Sequence, residues 1–163
     1  MPIVFRPLSE NDLARVVDLN TEAVPAVNEL TLDELRTLVG RCALALAAAD
    51  DDRPVGFLLA LEPGADYASE NYRWFSERSE NFLYVDRIVV DPSTHGQGIG
   101  RGLYEQAFAV AAEGRRDRVC CEVNTLPPNP ESMAFHARLG FSEVGRQATK
   151  GGAVEVALLE RML

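Results

Sequence analysis

The apolar positions of the chain fall into short blocks, separated by glycine, proline and charged residues. Short apolar blocks predict seven strands, at residues 3–6, 42–49, 55–61, 82–90, 119–123, 141–146 and 154–159. The block 42–49 is alanine-rich and compatible with strand or helix; it is predicted as a strand because a hairpin would pair it with 55–61. The polar stretch 50–53 separates the second and third blocks, which predicts a hairpin turning around Asp51.

Helical spacing predicts four helices between these strands, at about residues 9–20, 31–40, 100–114 and 130–140. Thr31 and Glu34 have the spacing of a capping box, and Asn129 before Pro130 is typical of an N-cap. The expected buried stripes of the second and third helices are Leu32, Leu35 and Val39, and Leu103, Ala107 and Val110.

The order β-α-α-β-β-β-α-β-α-β-β predicts an α/β (mixed α+β) layer fold. The first strands are expected to run antiparallel, with a short turn around Asp51 between the second and the third. The helix between residues 82–90 and 119–123 is expected to form a parallel crossover. A length of 163 residues suits a single domain spanning 1–163.

Composition narrows the classes of partner. A net charge of −9 and a pI near 4.7 argue against nucleic acid and anionic membrane, because an acidic surface repels phosphates. The first residues are too polar for a signal peptide, and no apolar run approaches the roughly 20 residues of a membrane span. Three cysteines without a Cys-x-x-Cys pair fit packing roles in a reducing cytoplasm. The two histidines lie far from any cysteine pair, so no metal site is expected.

Glycines are concentrated at the predicted crossover, where Gly96, Gly98, Gly100 and Gly102 lie between a strand and a helix. Glycine exposes the backbone and permits positive φ. The first N–H groups of a helix have no helical partner, so together with the helix dipole they form a site for a pyrophosphate. A strand–helix turn without any ligand is the alternative.

Two known phosphate motifs do not fit this loop. The dinucleotide pattern Gly-x-Gly-x-x-Gly fails because Arg101 or Leu103 takes the place of its last glycine. The P-loop fails because no Gly-Lys-Ser/Thr follows. The pattern present is Gln97-x-x-Gly100-x-Gly102, which resembles the acetyl-CoA signature of the GCN5-related N-acetyltransferases.

The resemblance extends beyond the loop and is strong over residues 82–144. The preceding run Arg87-Ile88-Val89-Val90-Asp91-Pro92 is similar to the family's strand before the signature. A later block is similar to its second signature helix: Asn129-Pro130-x-Ser132-x-x-x-His136-x-x-Leu139-Gly140-Phe141. The resemblance implies a central mixed sheet flanked by helices and splayed between the fourth and fifth strands.

The resemblance also implies how acetyl-CoA would bind. Its pyrophosphate would lie on the backbone amides of Gln97, Gly98, Ile99, Gly100, Arg101 and Gly102. Its pantetheine arm would pair with the strand edge at Ile88, Val89 and Val90, where a backbone N–H polarises the thioester carbonyl. Asn129 and Ser132 are expected to contact CoA. An amine would attack the thioester directly, with no metal and no covalent enzyme intermediate.

Two residues are the catalytic candidates. Asp86 stands where some histone-acetylating members carry a catalytic glutamate, so it is the candidate base; a structural pair with a nearby arginine is the alternative. His136 stands where the family most often has the tyrosine that protonates the departing thiolate, and an imidazole N–H can serve as a donor. A structural histidine is the alternative there. Glu122 and Asn124, on the next strand, rank lower.

Residues 62–81 are the least family-like part of the chain, and they carry Tyr67, Tyr72, Trp74 and Phe75. Such long segments are often functional, and part of this one is compatible with helix. Aromatic rings suit a cationic amine, so the segment is expected to cover the acceptor side of the slot. Packing on the domain or at the interface of a homodimer is the alternative.

The function expected from these observations is transfer of an acetyl group from acetyl-CoA to a primary amine. The sequence leaves the acceptor and the acyl-chain length open. A non-catalytic CoA-binding or sensor module on the same fold is the second interpretation, because fold alone does not determine function.

Overall fold

A computed structural model describes residues 2–163, in which seven strands form one sheet in the order β1-β2-β3-β4-β5-β7-β6. The strands are β1 (Ile3–Pro7), β2 (Leu44–Asp50), β3 (Arg53–Leu61), β4 (Leu83–Val90), β5 (Arg118–Leu126), β6 (Ser142–Thr149) and β7 (Val154–Met162). The helices are α1 (Leu13–Ala23), α2 (Leu32–Arg41), α3 (Glu70–Ser76), α4 (Ile99–Glu113) and α5 (Pro130–Arg138).

Local signals placed most of these elements correctly. The hairpin between β2 and β3 turns at Asp51 and Asp52, which have φ of 49° and 68°. The capping box of α2 is confirmed: the Glu34 N–H donates to Thr31 Oγ1 over 3.1 Å, and the Thr31 N–H donates to Glu34 over 3.0 Å. The additional helix, α3, lies inside the segment 62–81.

The predicted buried stripes were wrong at their edges. Leu32 and Val110 are 39% and 37% exposed, whereas Leu38 and Tyr104 are buried. The reason is helix phase: α2 packs mainly against α1 and α4 against the sheet, and in each helix a residue at the margin of the apolar stripe turns to solvent.

The fourth and fifth strands separate as the family resemblance implies. β4 and β5 are parallel and pair only at Leu83 with Val119 and Tyr84 with Cys120. Beyond these pairs β4 stays paired with β3, and β5 stays paired with β7. A slot therefore opens in the middle of the sheet, bounded by two strands that are each supported on their outer side.

The two faces of the sheet carry separate cores. Apolar side chains on one face pack with α4, and those on the other pack with α1, α2 and α3. The register of β4 against β3 skips Asp86, because Val85 lies opposite Ala60 and Arg87 lies opposite Leu59. This bulge turns Asp86 and Arg87 toward the α1–α3 face together, since an extra residue in a strand interrupts the alternation of side chains.

Candidate active site

A cavity of about 310 Å³ occupies the space between β4 and β5. Its lining combines the two strands with α5, the α1–α2 loop, the residues around the start of α3 and the β6–β7 hairpin. It gathers eight residues singled out as candidates in the sequence: Tyr67, Asp86, Ile88, Glu122, Asn124, Asn129, Ser132 and His136. The cavity joins the two faces of the sheet through the slot.

The glycine loop lies outside the lining of this cavity, at the N-terminus of α4. Gly96 and Gly98 have φ of +84° and +75°, and a methyl group on either would meet no atom within 4 Å. The first turn of α4 contains no acidic residue. These features fit an anion, because the first N–H groups of a helix have no helical partner and no acidic side chain opposes a negative charge there. Gly102 differs, since its N–H already donates to the Gly98 carbonyl over 2.9 Å.

Gly100 and Gly102 are needed for helix packing. A methyl group on Gly100 would come within 2.9 Å of Phe135 Cζ, and one on Gly102 within 2.2 Å of Phe5 Cζ. Contact with these rings is therefore a second reason for glycine at both positions, and the phosphate site inferred from the sequence stays a prediction.

The free edge of β4 offers backbone donors to the slot. The Asp91 N–H donates to the Val55 carbonyl over 2.7 Å, toward β3. By strand alternation Val89 also faces β3, so the N–H groups of Ile88 and Val90 face the open side. The Val89 N–H therefore faces away from the slot, whereas the N–H groups of Val90 and Ile88 are available to a ligand there.

On the α1–α3 face, Asp86 belongs to a buried network. Its carboxylate accepts from Tyr67 Oη over 2.5 Å and from Arg87 Nε over 2.7 Å. Arg87 Nη1 donates to Asn20 Oδ1 over 3.0 Å and to the Asn28 carbonyl over 3.1 Å. The Asp86 and Arg87 side chains are 4% and 5% exposed. The arginine pair that was the structural alternative for Asp86 is present: Arg87 engages Oδ2 of the carboxylate, and Tyr67 engages Oδ1.

Glu122 lies across the slot from this network. Tyr84 Oη donates to both carboxylate oxygens, over 2.9 and 2.8 Å. Burial, and then the negative charge of Asp86, raise the pKa of Glu122 to about 8, against the opposing effect of hydrogen bonds from Tyr84 and Asn71. A carboxyl that titrates near neutral pH suits proton transfer. From the sequence this residue ranks below Asp86, because only Asp86 matches a family position that carries a catalytic carboxylate.

His136 lies on the opposite face, with Tyr104 and Ser132. It is 3% exposed; its Nδ1 is 2.8 Å from the Ser132 carbonyl and its Nε2 is 2.7 Å from Tyr104 Oη. A carbonyl only accepts, so we assign the ring proton to Nδ1, and Nε2 accepts from Tyr104. Burial lowers the pKa of His136, so its ring is neutral at physiological pH.

Two aromatic partners in this site were not singled out in the sequence. Tyr104 and Tyr84 are both fully buried. Each hydroxyl contacts a titratable side chain more than thirty positions away: Tyr104 contacts His136, and Tyr84 contacts Glu122. No local spacing signals such contacts. Tyr104 stands in the helical stripe of α4, where an apolar role is the ordinary expectation.

The four rings of the segment 62–81 divide between the cavity and the core. Tyr67 lines the cavity. Tyr72 and Phe75 are each 4% exposed in the core, and Trp74 packs against Gly145 and under the Arg78 guanidinium. Packing is therefore the observed role of three rings.

Three surface segments meet over the α1–α3 side of the cavity. Asn124 Nδ2 donates to the Pro25 carbonyl over 3.1 Å, which connects β5 with the α1–α2 loop. Gln147 Nε2 donates to Asn71 Oδ1 over 3.0 Å, which connects β6 with α3. Lys150, at the tip of the β6–β7 hairpin, contacts both Asn28 and Glu70. Through these contacts, residues 25–28, 68–71 and 147–150 together cover this side of the cavity and form its roof.

Metal sites and membrane-spanning helices are two further features to consider in the described chain. Within residues 2–163, no group of three or more His, Cys, Asp and Glu side chains is arranged to hold a metal ion. Over the same residues, no helix combines the length and the apolar character needed to span a membrane.

Comparisons with known proteins agree with this geometry. The model of the "Acetyltransferase (GNAT) family" matches residues 13–141. A relative, "Peptidyl-lysine N-acetyltransferase YjaB" of Escherichia coli (strain K12), is 26% identical over 133 residues, which cover 81% of this chain and 72% of the relative.

Solved structures show the same fold. Ard1 from Thermoplasma volcanium superposes with a TM-score of 0.83 at 16% identity, covering 100% of this chain and 99% of that one. A phosphinothricin acetyltransferase from Sinorhizobium meliloti, solved in complex with AcCoA, has a TM-score of 0.75 at 22% identity, covering 100% and 89% of the two chains. At these identities the likeness concerns the fold alone.

Proposed function

Since this chain belongs to the acetyltransferase (GNAT) family, whose members transfer an acetyl group from acetyl-CoA to an amine, we propose that its own two substrates meet in the slot between β4 and β5 from opposite faces of the sheet. The observation that carries the proposal is the cavity itself, which joins both faces through the slot. The primary-amine acceptor and the direct attack within a ternary complex belong to the same proposal.

Acetyl-CoA would bind on the α4–α5 face. The N–H groups from Gln97 to Arg101 would hold its pyrophosphate, because the positive-φ glycines leave open space beside them. The residues present fit the ligand, since α4 has no acidic residue in its first turn. When bound, acetyl-CoA supplies the activated acetyl group. The N–H groups of Ile88 and Val90 would stabilise negative charge on the carbonyl oxygen.

The amine would approach from the α1–α3 face, beneath the roof. We assign Glu122 as the base, because it lines the cavity and its raised pKa lets it accept a proton near neutral pH. Asp86 would act through its charge, which contributes to that raised pKa, while Arg87 and Tyr67 hold it in place. Asp86 is then a positioning residue, one strand away from the group that takes the proton.

The thiolate would leave toward the α4–α5 face. Ser132 lines the cavity there, and its hydroxyl lies 3.3 Å from His136 Nδ1. Because both ring nitrogens of His136 are engaged, we propose that His136 orients Ser132 and Tyr104, and that the Ser132 hydroxyl faces the sulfur. Asn129 caps α5 by accepting from the Ser132 N–H over 3.3 Å, which holds the serine at this position.

Thiol release from acetyl-CoA, measured over a panel of small amines, peptide N-termini and lysine peptides, tests the proposal. Wild-type protein should release thiol with at least one acceptor, and Glu122→Gln should lower kcat by roughly 10²-fold or more while acetyl-CoA affinity by calorimetry is retained. Glu105→Gln, on the exposed side of α4, is the matched control and should behave as wild type. Binding without any thiol release would favour a non-catalytic CoA-binding module.

The acceptor, the cellular compartment, the extent of the domain and the oligomeric state stay predictions. The relative's name mentions peptidyl-lysine, so lysine peptides belong in the acceptor panel. The free thiols of Cys42, Cys120 and Cys121 are consistent with a reducing cytoplasm. We also propose one domain over 1–163, which predicts a single cooperative unfolding transition, and a homodimer, which sedimentation would detect.

A further inference from the structure

The chain contains one lysine, Lys150, against fifteen arginines. An exposed arginine carries the same charge as lysine, but its guanidinium is not an acceptor for acyl groups under ordinary conditions. Lys150 is therefore the one side-chain amine of the protein. It lies on the lining of the candidate active-site cavity, which also contains Glu122 and Ile88.

The backbone of the β6–β7 hairpin presents Lys150 at the cavity. Lys150 has φ of 52°, and Gly151 and Gly152 after it have φ of 66° and 93°. A left-handed conformation is uncommon for a residue with a side chain. Two contacts support it here: the Lys150 N–H donates to Glu70 over 3.3 Å, and Lys150 Nζ donates to Asn28 Oδ1.

The position matches the route proposed for the amine substrate. Asn28 and Glu70 belong to the roof on the α1–α3 side, the same side as Asp86 and Glu122. Nζ is thus held at the acceptor entrance by a single neutral side-chain oxygen. Rotation of the flexible four-carbon side chain away from Asn28 releases Nζ into the shared cavity.

We infer that the enzyme acetylates its own Lys150, in cis, through the same cavity. This inference rests on the proposed acetyl transfer. A new bond forms between Nζ and the acetyl carbon, and the bond between that carbon and the CoA sulfur breaks. Of the three protons on the ammonium, one stays on the amide nitrogen. One leaves through the Glu122 carboxylate to solvent, and one ends on the CoA thiol.

Acetylation changes the entrance. The amide that forms has no charge and one N–H in place of three donors, so the contact between the hairpin and Asn28 is weakened. The Lys150 charge at the rim is also lost, which makes the entrance more acidic. Modification therefore alters both the closure of the roof and the field that an incoming amine meets.

Intact mass of the full chain after incubation with acetyl-CoA provides the test, followed by peptide mapping to separate Lys150 from the N-terminal amine. Wild type should gain one acetyl group on Lys150, and the fraction of chains modified per unit time should be independent of protein concentration. Lys150→Arg should gain none there. A double variant, Lys150→Arg with Arg53→Lys, moves the one lysine to an exposed position outside the cavity lining and should be modified at least about tenfold more slowly.

Three results would overturn the inference. The relocated lysine could react as fast as Lys150, which indicates chemical acylation. The fraction of chains modified per unit time could rise in proportion to protein concentration, which indicates transfer between molecules. Wild type could release thiol with free amines yet leave Lys150 unmodified, which refutes self-acetylation while the proposed function stands. If neither free amines nor Lys150 are acetylated although acetyl-CoA binds, the proposed function itself fails.

Discussion

Glu122 shows how a single side chain acquires its chemistry from its surroundings. Its carboxyl has an ordinary pKa of 4.5, and burial beside Asp86 raises the pKa to about 8 in the folded protein. Tyr84 holds both of its oxygens. The negative charge of Asp86 and the hydroxyl of Tyr84 both come from β4, whereas Glu122 lies on β5. The raised pKa is therefore a property of the slot between the two strands and not of β5 alone.

This pKa predicts how stability depends on pH. Between pH 4.5 and about 8 the folded protein binds the extra proton, so the free energy of unfolding falls as pH rises through this window and levels off above it. The contribution of one group reaches at most about 1.4 kcal/mol per pH unit. Urea denaturation of Glu122→Gln should lack this slope and show higher stability than wild type above pH 8. Parallel curves for the two proteins would contradict the raised pKa.

His136 and Ser132 separate an orienting role from a contact role. His136→Ala should lower both the melting temperature and kcat, because it removes a buried ring and leaves Tyr104 Oη without its partner. Ser132→Ala should lower kcat by about tenfold or more with the melting temperature nearly unchanged. Full activity in Ser132→Ala would exclude its hydroxyl as the group facing the sulfur.

At the scale of elements, the packing of α4 on β1 depends on the lack of a side chain at Gly102. A methyl group there would lie 2.2 Å from Phe5 Cζ. Gly102→Ala should therefore destabilise the protein by about 1–3 kcal/mol, and Phe5→Leu should recover part of that loss in the double variant. Chemical denaturation measures both.

Gly98 is the matched control for this contact. Its φ of +75° makes Gly98→Ala unfavourable, by about 1–2 kcal/mol, although a methyl group meets no neighbour there. Phe5→Leu should leave this cost unchanged, because Gly98 does not touch Phe5. Rescue of Gly98→Ala, or failure to rescue Gly102→Ala, would refute the steric account.

At the scale of the whole molecule, Arg87 ties the slot to the α1–α2 loop. It bonds Asp86, Asn20 and the Asn28 carbonyl from a side chain that is 5% exposed. Arg87→Met should cost about 3–5 kcal/mol in urea denaturation, because Asp86 is left buried without its cation. Arg36→Met, which removes an exposed arginine paired with Glu10 and Asp33, should cost less than about 1 kcal/mol. Equal costs would show that burial does not govern the effect.

Local chemistry in the sequence was sufficient for all of the strands, for four of the five helices and for the glycine turn before α4. Alternating apolar residues, the Thr31 capping box, the Asn129 cap and the positive-φ turn at Asp51 act over a few residues, so they can be recognised in any chain. The family resemblance added the splay between β4 and β5, which the strand pairing confirms.

Only the tertiary structure decided which side chains share the slot. The bulge at Asp86 turns it toward Arg87 and Tyr67, and the pairing of β4 with β5 brings Tyr84 to Glu122. The contacts with Tyr67 and Tyr84 join residues that are distant in sequence, and a pKa depends on everything within several ångströms in three dimensions. The resemblance named Asp86 as the candidate base, and that stays a prediction; the proposal of Glu122 depends on burial and charge that only the folded chain shows.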